Sequence, residues 1–166
     1  LALAALKLNP DKVTGIDIAT GMIAIGKQKI IARGEESRIE LIEGDSESLP
    51  FQSGDYDAVM VAFGVRNFED PQKGLNEMSR VLKPGGVVAI LEFTMPKSFP
   101  VRPLYRFYFK RVLPLIGKLI SKDFSAYRYL PESVEAFSQR EAFLEMMKLS
   151  GFEYIGYHSL SFGIAA

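Results

Sequence analysis

Val13-Thr14-Gly15-Ile16-Asp17-Ile18 and Ile39-Glu40-Leu41-Ile42-Glu43 are two short β-branched runs separated by a single helix-length segment. The first, with Asp17 near its end, reads as a buried strand, and the second, closed by Glu43, as the next strand. Between them, Gly21 to Arg33 carries apolar residues at Met22, Ile25, Ile30 and Ile31. That spacing predicts a helix with those residues inward, closed by Gly34. A strand, a crossover helix and a second strand form the repeating unit of a parallel sheet covered by helices.

The same rhythm continues outward. Residues 1–8 have helix-forming composition and are stopped by Asn9-Pro10-Asp11. Tyr56 to Phe63 reads as a third strand. Asp70-Pro71 then opens a helix to about Leu82, with proline in the first turn. Lys83-Pro84-Gly85-Gly86 reads as a tight turn, and Val87 to Phe93 as a strand buried on both faces. A helix from about Ser138 to Leu149, a strand from Phe152 to Leu160 and the start of another at Phe162 to Ala166 complete the pattern. The expectation is one α/β domain over 1–166, mostly parallel, with helices on both faces of the sheet. Both termini read as cut within an element, with the first strand missing, so a gap is expected where the strand order reverses.

Composition narrows the function. The 166 residues are 48% apolar and 24% charged, as in ordinary globular proteins. Lys+Arg and Asp+Glu both total 20, so net charge gives no argument for a nucleic-acid partner. With no cysteine and one histidine, disulfides, thiol nucleophiles and transition-metal sites lose their usual ligands, and no metal is expected. No apolar run reaches the roughly 18 residues of a membrane span, and Leu1 to Leu6 lacks the basic lead-in of a signal peptide. The expected location is cytoplasmic.

The charge is unevenly spread. Between Lys97 and Leu130 eight basic residues face one acid, Asp123, and eight aromatics fall in the same segment. Residues 97–133 therefore read as short helices inserted before the last helix. Tyr105, Tyr108, Phe109 and Val112 share one helical stripe, which fits a packed core with a solvated basic side. It equally fits a lid over an apolar ring, with a cationic rim facing an anionic membrane surface at its inner face.

Three clusters carry candidate chemistry. Asp17 lies at the carboxyl end of the strand that counts as the second of such a sheet, where an acid can accept from both ribose hydroxyls of a nucleotide cofactor or can simply cap the next helix. Asp45, in Glu43-Gly44-Asp45-Ser46, can accept from an adenine amine or serve as a turn residue. Phe63-Gly64-Val65-Arg66-Asn67 follows the third strand, at the edge where open α/β sheets bind ligands. There Arg66 is either a substrate contact or an ion-paired surface residue. Glu92 lies in an otherwise apolar strand, so it must be paired or face a cleft.

Together, Asp17 with Gly21-Met22, Gly44 to Phe51, Phe63 to Asn67, Arg80 to Gly86 and Tyr127-Arg128-Tyr129-Leu130-Pro131-Glu132-Ser133 resemble the demethylmenaquinone and ubiquinone-precursor C-methyltransferases. The similarity runs through nearly the whole chain. Lys-Pro-Gly-Gly is common to many class I methyltransferases, whereas Phe-Gly-Val-Arg-Asn and Tyr-Arg-Tyr-Leu-Pro-Glu-Ser are specific. The resemblance implies a Rossmann-like class I sheet and S-adenosylmethionine as cofactor. It implies Asp17 on the ribose, Asp45 and Ser46 at the adenine, and Met22 and Ala62 beside the cofactor. It implies a polyprenyl quinol substrate near Phe63, Asn67, Tyr127 and Tyr129, with Arg66 stabilising the ring oxyanion. Ala62 and Thr94 depart from the more usual polar residue and serine of the family, so only the backbone of Ala62 can contribute. The family's glycine-rich loop and amino-terminal substrate helices are not in this sequence. A homodimer is compatible with the resemblance. Rival readings are another small-molecule methyltransferase, or a NAD-dependent oxidoreductase using Asp17 on its ribose.

Overall fold

The computed structural model describes residues 1–96, 98–112, 133, 134, 137 and 140–166. Helix α1 (Ala2–Ala5) tightens into a 3-10 turn over Leu6–Leu8, and Asn9 ends it in the left-handed region, at φ 53°. Strand β1 (Val13–Asp17), helix α2 (Thr20–Ile31) and strand β2 (Ile39–Glu43) follow. β1 and β2 pair in parallel, in a register that sets Val13 against Ile39 and Asp17 against Glu43. The α/β reading of the opening stretch therefore holds, and β2 has the predicted limits.

Strand β3 (Tyr56–Ala62), helix α3 (Pro71–Val81) and strand β4 (Leu82–Leu91) come next. β3 and β4 form a second two-stranded sheet. No strand among the described residues joins the two pairs. Helix α3 forms for legible reasons. Asp70 caps it by accepting from the Lys73 amide at 3.1 Å, and Pro71 presets its first turn. Leu75, Met78 and Val81, at helical spacing, are its fully buried face. Helix α4 (Val101–Phe107) and helix α5 (Arg140–Leu149) complete the described helices of a turn or more, apart from a π-helical turn at Tyr108–Val112.

The described residues fall into two compact units. One holds Leu1–Val61 with Asp70–Ala89, and the other Ala62–Glu69 with Ile90–Ala166. No helix among the described residues is long and apolar enough to cross a membrane.

Several expectations are corrected. The inward face of α2 is Ile23 and Ile30, seven residues apart; Met22, Ile25 and Ile31 are exposed. With apolar residues at Met22, Ile23, Ile25, Ile30 and Ile31, α2 offers several faces, and the heptad-spaced pair is the one that packs. Lys83-Pro84-Gly85-Gly86 lies inside β4 instead of preceding it. The reversal survives as a distortion of the strand's start, with Gly85 at φ 80°. A Cβ on Gly86 would lie 2.9 Å from the Lys83 carbonyl oxygen and 3.1 Å from that of Asp57. Nor is β4 buried on both faces, for Val87 and Ala89 are exposed while Val88 and Ile90 are half-buried. That alternation marks a strand covered on one face.

The stripe in the insertion is split. Tyr105 is buried and Tyr108, where the helix passes into a π-helical turn, is exposed. Burial raises the Tyr105 phenol to about 12. Phe152 to Leu160 is not a strand: Tyr154 takes φ 51°, breaking the extended run, and is fully exposed. Beyond it, Ser161–Gly163 is a 3-10 turn, and Ala165 forms antiparallel bridges with Phe93 and Leu160.

Candidate active site

In the first unit the two strand-end acids occupy neighbouring positions with a shared design. Asp17 closes β1, and its Oδ1 accepts from the Ala19 amide at 2.8 Å. Asp45 follows β2, and its Oδ1 accepts from the Glu47 amide at 2.8 Å. Both are side-chain-to-backbone turns two residues long, which fix the carboxylate while leaving its other oxygen uncommitted. The Gly44 amide donates to the Asp17 carbonyl at 3.1 Å, tying the two strand ends together. Both acids are exposed. The α2 cap is Ala19, which offers no side chain, so Asp17 shapes the turn into the helix without capping it. Ser46 is half-buried beside Asp45, and Met22 is exposed in the first turn of α2.

The loop after Asp45 is held by α3. Arg80 donates to the Phe51 and Leu49 carbonyls at 2.7 and 3.0 Å, and to both carboxylate oxygens of Glu77 at 2.6 and 2.8 Å. Glu77 in turn accepts from the Leu49 amide at 2.8 Å. The Arg80 hydrogen bond is the chief reason the Glu77 carboxyl sits below its ordinary 4.5. Phe51 packs edge-on against Tyr56 at 4.9 Å, closing the loop onto β3. Sequence reading treated Leu49-Pro50-Phe51 and Arg80 as motif residues and missed Glu77, whose signal was its place three residues before Arg80 on one helix face.

In the second unit, Ala62 ends β3 and Phe63 turns the chain at φ 57°, a conformation uncommon for a bulky residue. Two contacts hold it there. Its amide donates to the Leu91 carbonyl at 2.8 Å, and its ring stacks on Phe93 at 4.4 Å. A 3-10 turn over Val65–Asn67 buries Val65 completely and leaves Asn67 exposed. Arg66 folds back against the start of this turn. Its Nη1 donates to the Phe63 carbonyl at 2.7 Å and to Glu92 Oε1 at 2.6 Å, and its Cζ lies 5.4 Å from the centre of the Phe93 ring. The Arg66 and Glu92 side chains are 10% and 4% exposed. The Arg66 Nε–H is buried with no hydrogen-bond partner among the described residues.

Glu92 thus answers the expectation that it be paired. Arg66 is ion-paired as well, but to the buried residue just after β4 and not at the surface. Thr94 Oγ1 donates to the Gly163 carbonyl at 2.8 Å, a structural role. Ala62, Phe63, Arg66 and Asn67 share one turn, while Tyr127 and Tyr129 lie outside the described residues.

Comparison with known proteins gives a consistent result. The model of the ubiE/COQ5 methyltransferase family matches residues 1–166. A demethylmenaquinone methyltransferase of Bacteroides fragilis is 44% identical over 162 residues, covering 98% of this chain and 66% of that protein. One from Thermus thermophilus is 51% identical over 155 residues, covering 93% and 69%. The chain thus spans about two thirds of the length of these relatives. Among solved structures, the [4+2]-cyclase SpnF shares the fold at TM-score 0.72 and 21% identity, over 98% of this chain and 50% of that one. Phosphoethanolamine N-methyltransferase 2 of Haemonchus contortus, solved with S-adenosyl-L-methionine, shares it at TM-score 0.68 and 17% identity, over 96% and 32%.

Proposed function

Because the chain belongs to the ubiE/COQ5 methyltransferase family, we propose that the protein methylates a ring carbon of a demethylmenaquinol or related polyprenyl quinol, with S-adenosylmethionine as donor. The observation that carries this reading is the family match over the whole chain, Phe63-Gly64-Val65-Arg66-Asn67 included. The residues present suit the cofactor. Asp17 and Asp45 each keep a carboxylate oxygen free for a ribose hydroxyl or an exocyclic amine, which is the acceptor chemistry adenosine requires. Ser46 and Met22, in the same unit as the two acids, complete the proposed contacts.

When bound, S-adenosylmethionine supplies an already electrophilic methyl group, so the protein needs no covalent nucleophile. The chain's own task is to orient the ring and favour its electron-rich phenolate form. Arg66 performs the second part. A guanidinium is a poor general base, and its work is hydrogen bonding and charge stabilisation of the developing oxyanion. Phe63 and Asn67 shape the ring's surroundings.

The insertion gives this substrate a route. Phe99, Leu104 and Phe107 are 87%, 64% and 62% exposed, and Arg102, Arg106 and Arg111 are exposed among them. Apolar side chains edged by arginines suit peripheral contact with an anionic bilayer, where a polyprenyl quinol resides. The test of the site is Arg66→Ala in the full-length protein, read per folded molecule. Turnover should fall while the affinity for S-adenosylmethionine, followed by calorimetric titration, stays near wild type. Unchanged turnover would remove Arg66 from the reaction.

A further inference from the structure

We propose that Glu92 is a positioning residue for Arg66, setting the orientation in which the guanidinium meets the substrate's ring oxygen. This rests on the reading of Arg66 given above. Glu92 is held at both levels. Its amide donates to the Ala166 carbonyl at 2.9 Å, and its carbonyl accepts from the Ala166 amide at 3.0 Å. Its carboxylate is then spent on this one turn and its own neighbour: Oε1 accepts from Arg66 Nη1 at 2.6 Å and the Phe93 amide at 2.9 Å, and Oε2 from the Arg66 amide at 3.3 Å. Glu92 therefore grips both the backbone and the side chain of Arg66.

The guanidinium's own hydrogen bonding is incomplete in this pose, since Nε–H is buried with no partner among the described residues. A buried N–H left unspent is costly, so the orientation is imposed by Glu92 and not chosen for the arginine's satisfaction. A second consequence concerns charge. The pair is neutral as a unit, so Arg66 acts on a phenolate as a fixed donor more than as a free cation. Position then matters more than charge, and displacement of about 1 Å can cost up to about a hundredfold in rate.

The experiment is a double-mutant cycle in the full-length protein, with S-adenosylmethionine and a short-chain demethylmenaquinol analogue. It follows kcat, the KM of each substrate and the melting temperature. Glu92→Gln and Glu92→Asp should each lower kcat about tenfold to a hundredfold with the KM for S-adenosylmethionine unchanged. Glu92→Asp keeps the buried charge and only shortens its reach. The Arg66→Ala/Glu92→Gln double variant should be no slower than Arg66→Ala alone, because the two residues act as one. Wild-type kcat in both Glu92 variants beside a slow Arg66→Ala overturns the role of Glu92 and leaves that of Arg66. Wild-type kcat in Arg66→Ala overturns the reading of Arg66 itself. Losses that multiply in the double variant also overturn the inference, since they mean independent action. If Glu92→Gln does not fold, the Glu92→Asp cycle carries the same comparison.

Discussion

Arg66 Nη1 donates to Glu92 Oε1 at 2.6 Å, joining the turn after β3 to the residue after β4 through an almost wholly buried ion pair. Removing one partner of such a pair leaves a charge without water or counter-charge, at a cost of about 3–5 kcal/mol. Glu92→Leu should therefore lower stability by about that amount in urea unfolding. Arg66→Met/Glu92→Leu, with both charges gone, should recover most of the loss. A double variant as unstable as the sum of its singles would show that the two side chains do not share an environment.

The Arg80–Glu77 clamp makes stability depend on pH. The folded-state carboxyl of Glu77 lies below its unfolded value of 4.5, so its contribution is complete above 4.5 and is lost as pH falls through the folded value. The urea midpoint of Glu77→Gln should fall less between pH 6 and pH 3 than that of wild type. Equal falls would mean the clamp does not hold the loop that carries Leu49 and Phe51.

Gly86 has no room for a side chain. An alanine there would bring its methyl against the Lys83 and Asp57 carbonyls, both backbone atoms that cannot swing aside. Gly86→Ala should cost about 1–3 kcal/mol, seen as a lower thermal midpoint at unchanged heat-capacity change. A neutral substitution would mean the start of β4 relaxes freely.

The exposed arginines of α4 should set the affinity for anionic vesicles. Each basic residue near such a surface contributes about 1 kcal/mol, so Arg102→Ala/Arg106→Ala should weaken binding to phosphatidylglycerol vesicles by roughly thirtyfold. Sedimentation with vesicles measures it, and neutral vesicles should show no difference between variant and wild type.

How far these features were legible in the sequence follows from how local their causes are. β2 and the capped start of α3 were readable because β-branched runs and Asp70-Pro71 act on their own neighbourhood. Asp17 and Asp45 were readable for the same reason, since each sits at a strand end. The buried face of α2 was not, because only its packing selects Ile23 and Ile30 from a helix apolar on several sides. The predicted strand at Phe152 to Leu160 failed where Tyr154 adopts a left-handed backbone that no local pattern announced. Glu92 was visible as a charge that needed a partner. Its partner was not, since the two residues are 26 positions apart and only the turn at Phe63 brings them together.

The central claim is methyl transfer to a quinol carbon. The direct measurement incubates full-length protein with methyl-labelled S-adenosylmethionine and a reduced demethylmenaquinol analogue, then locates the label by NMR and mass spectrometry. One labelled methyl should appear on a ring carbon, formed at a rate that drops in Arg66→Ala. Label on an oxygen, or no transfer by folded protein that binds the cofactor, would contradict it.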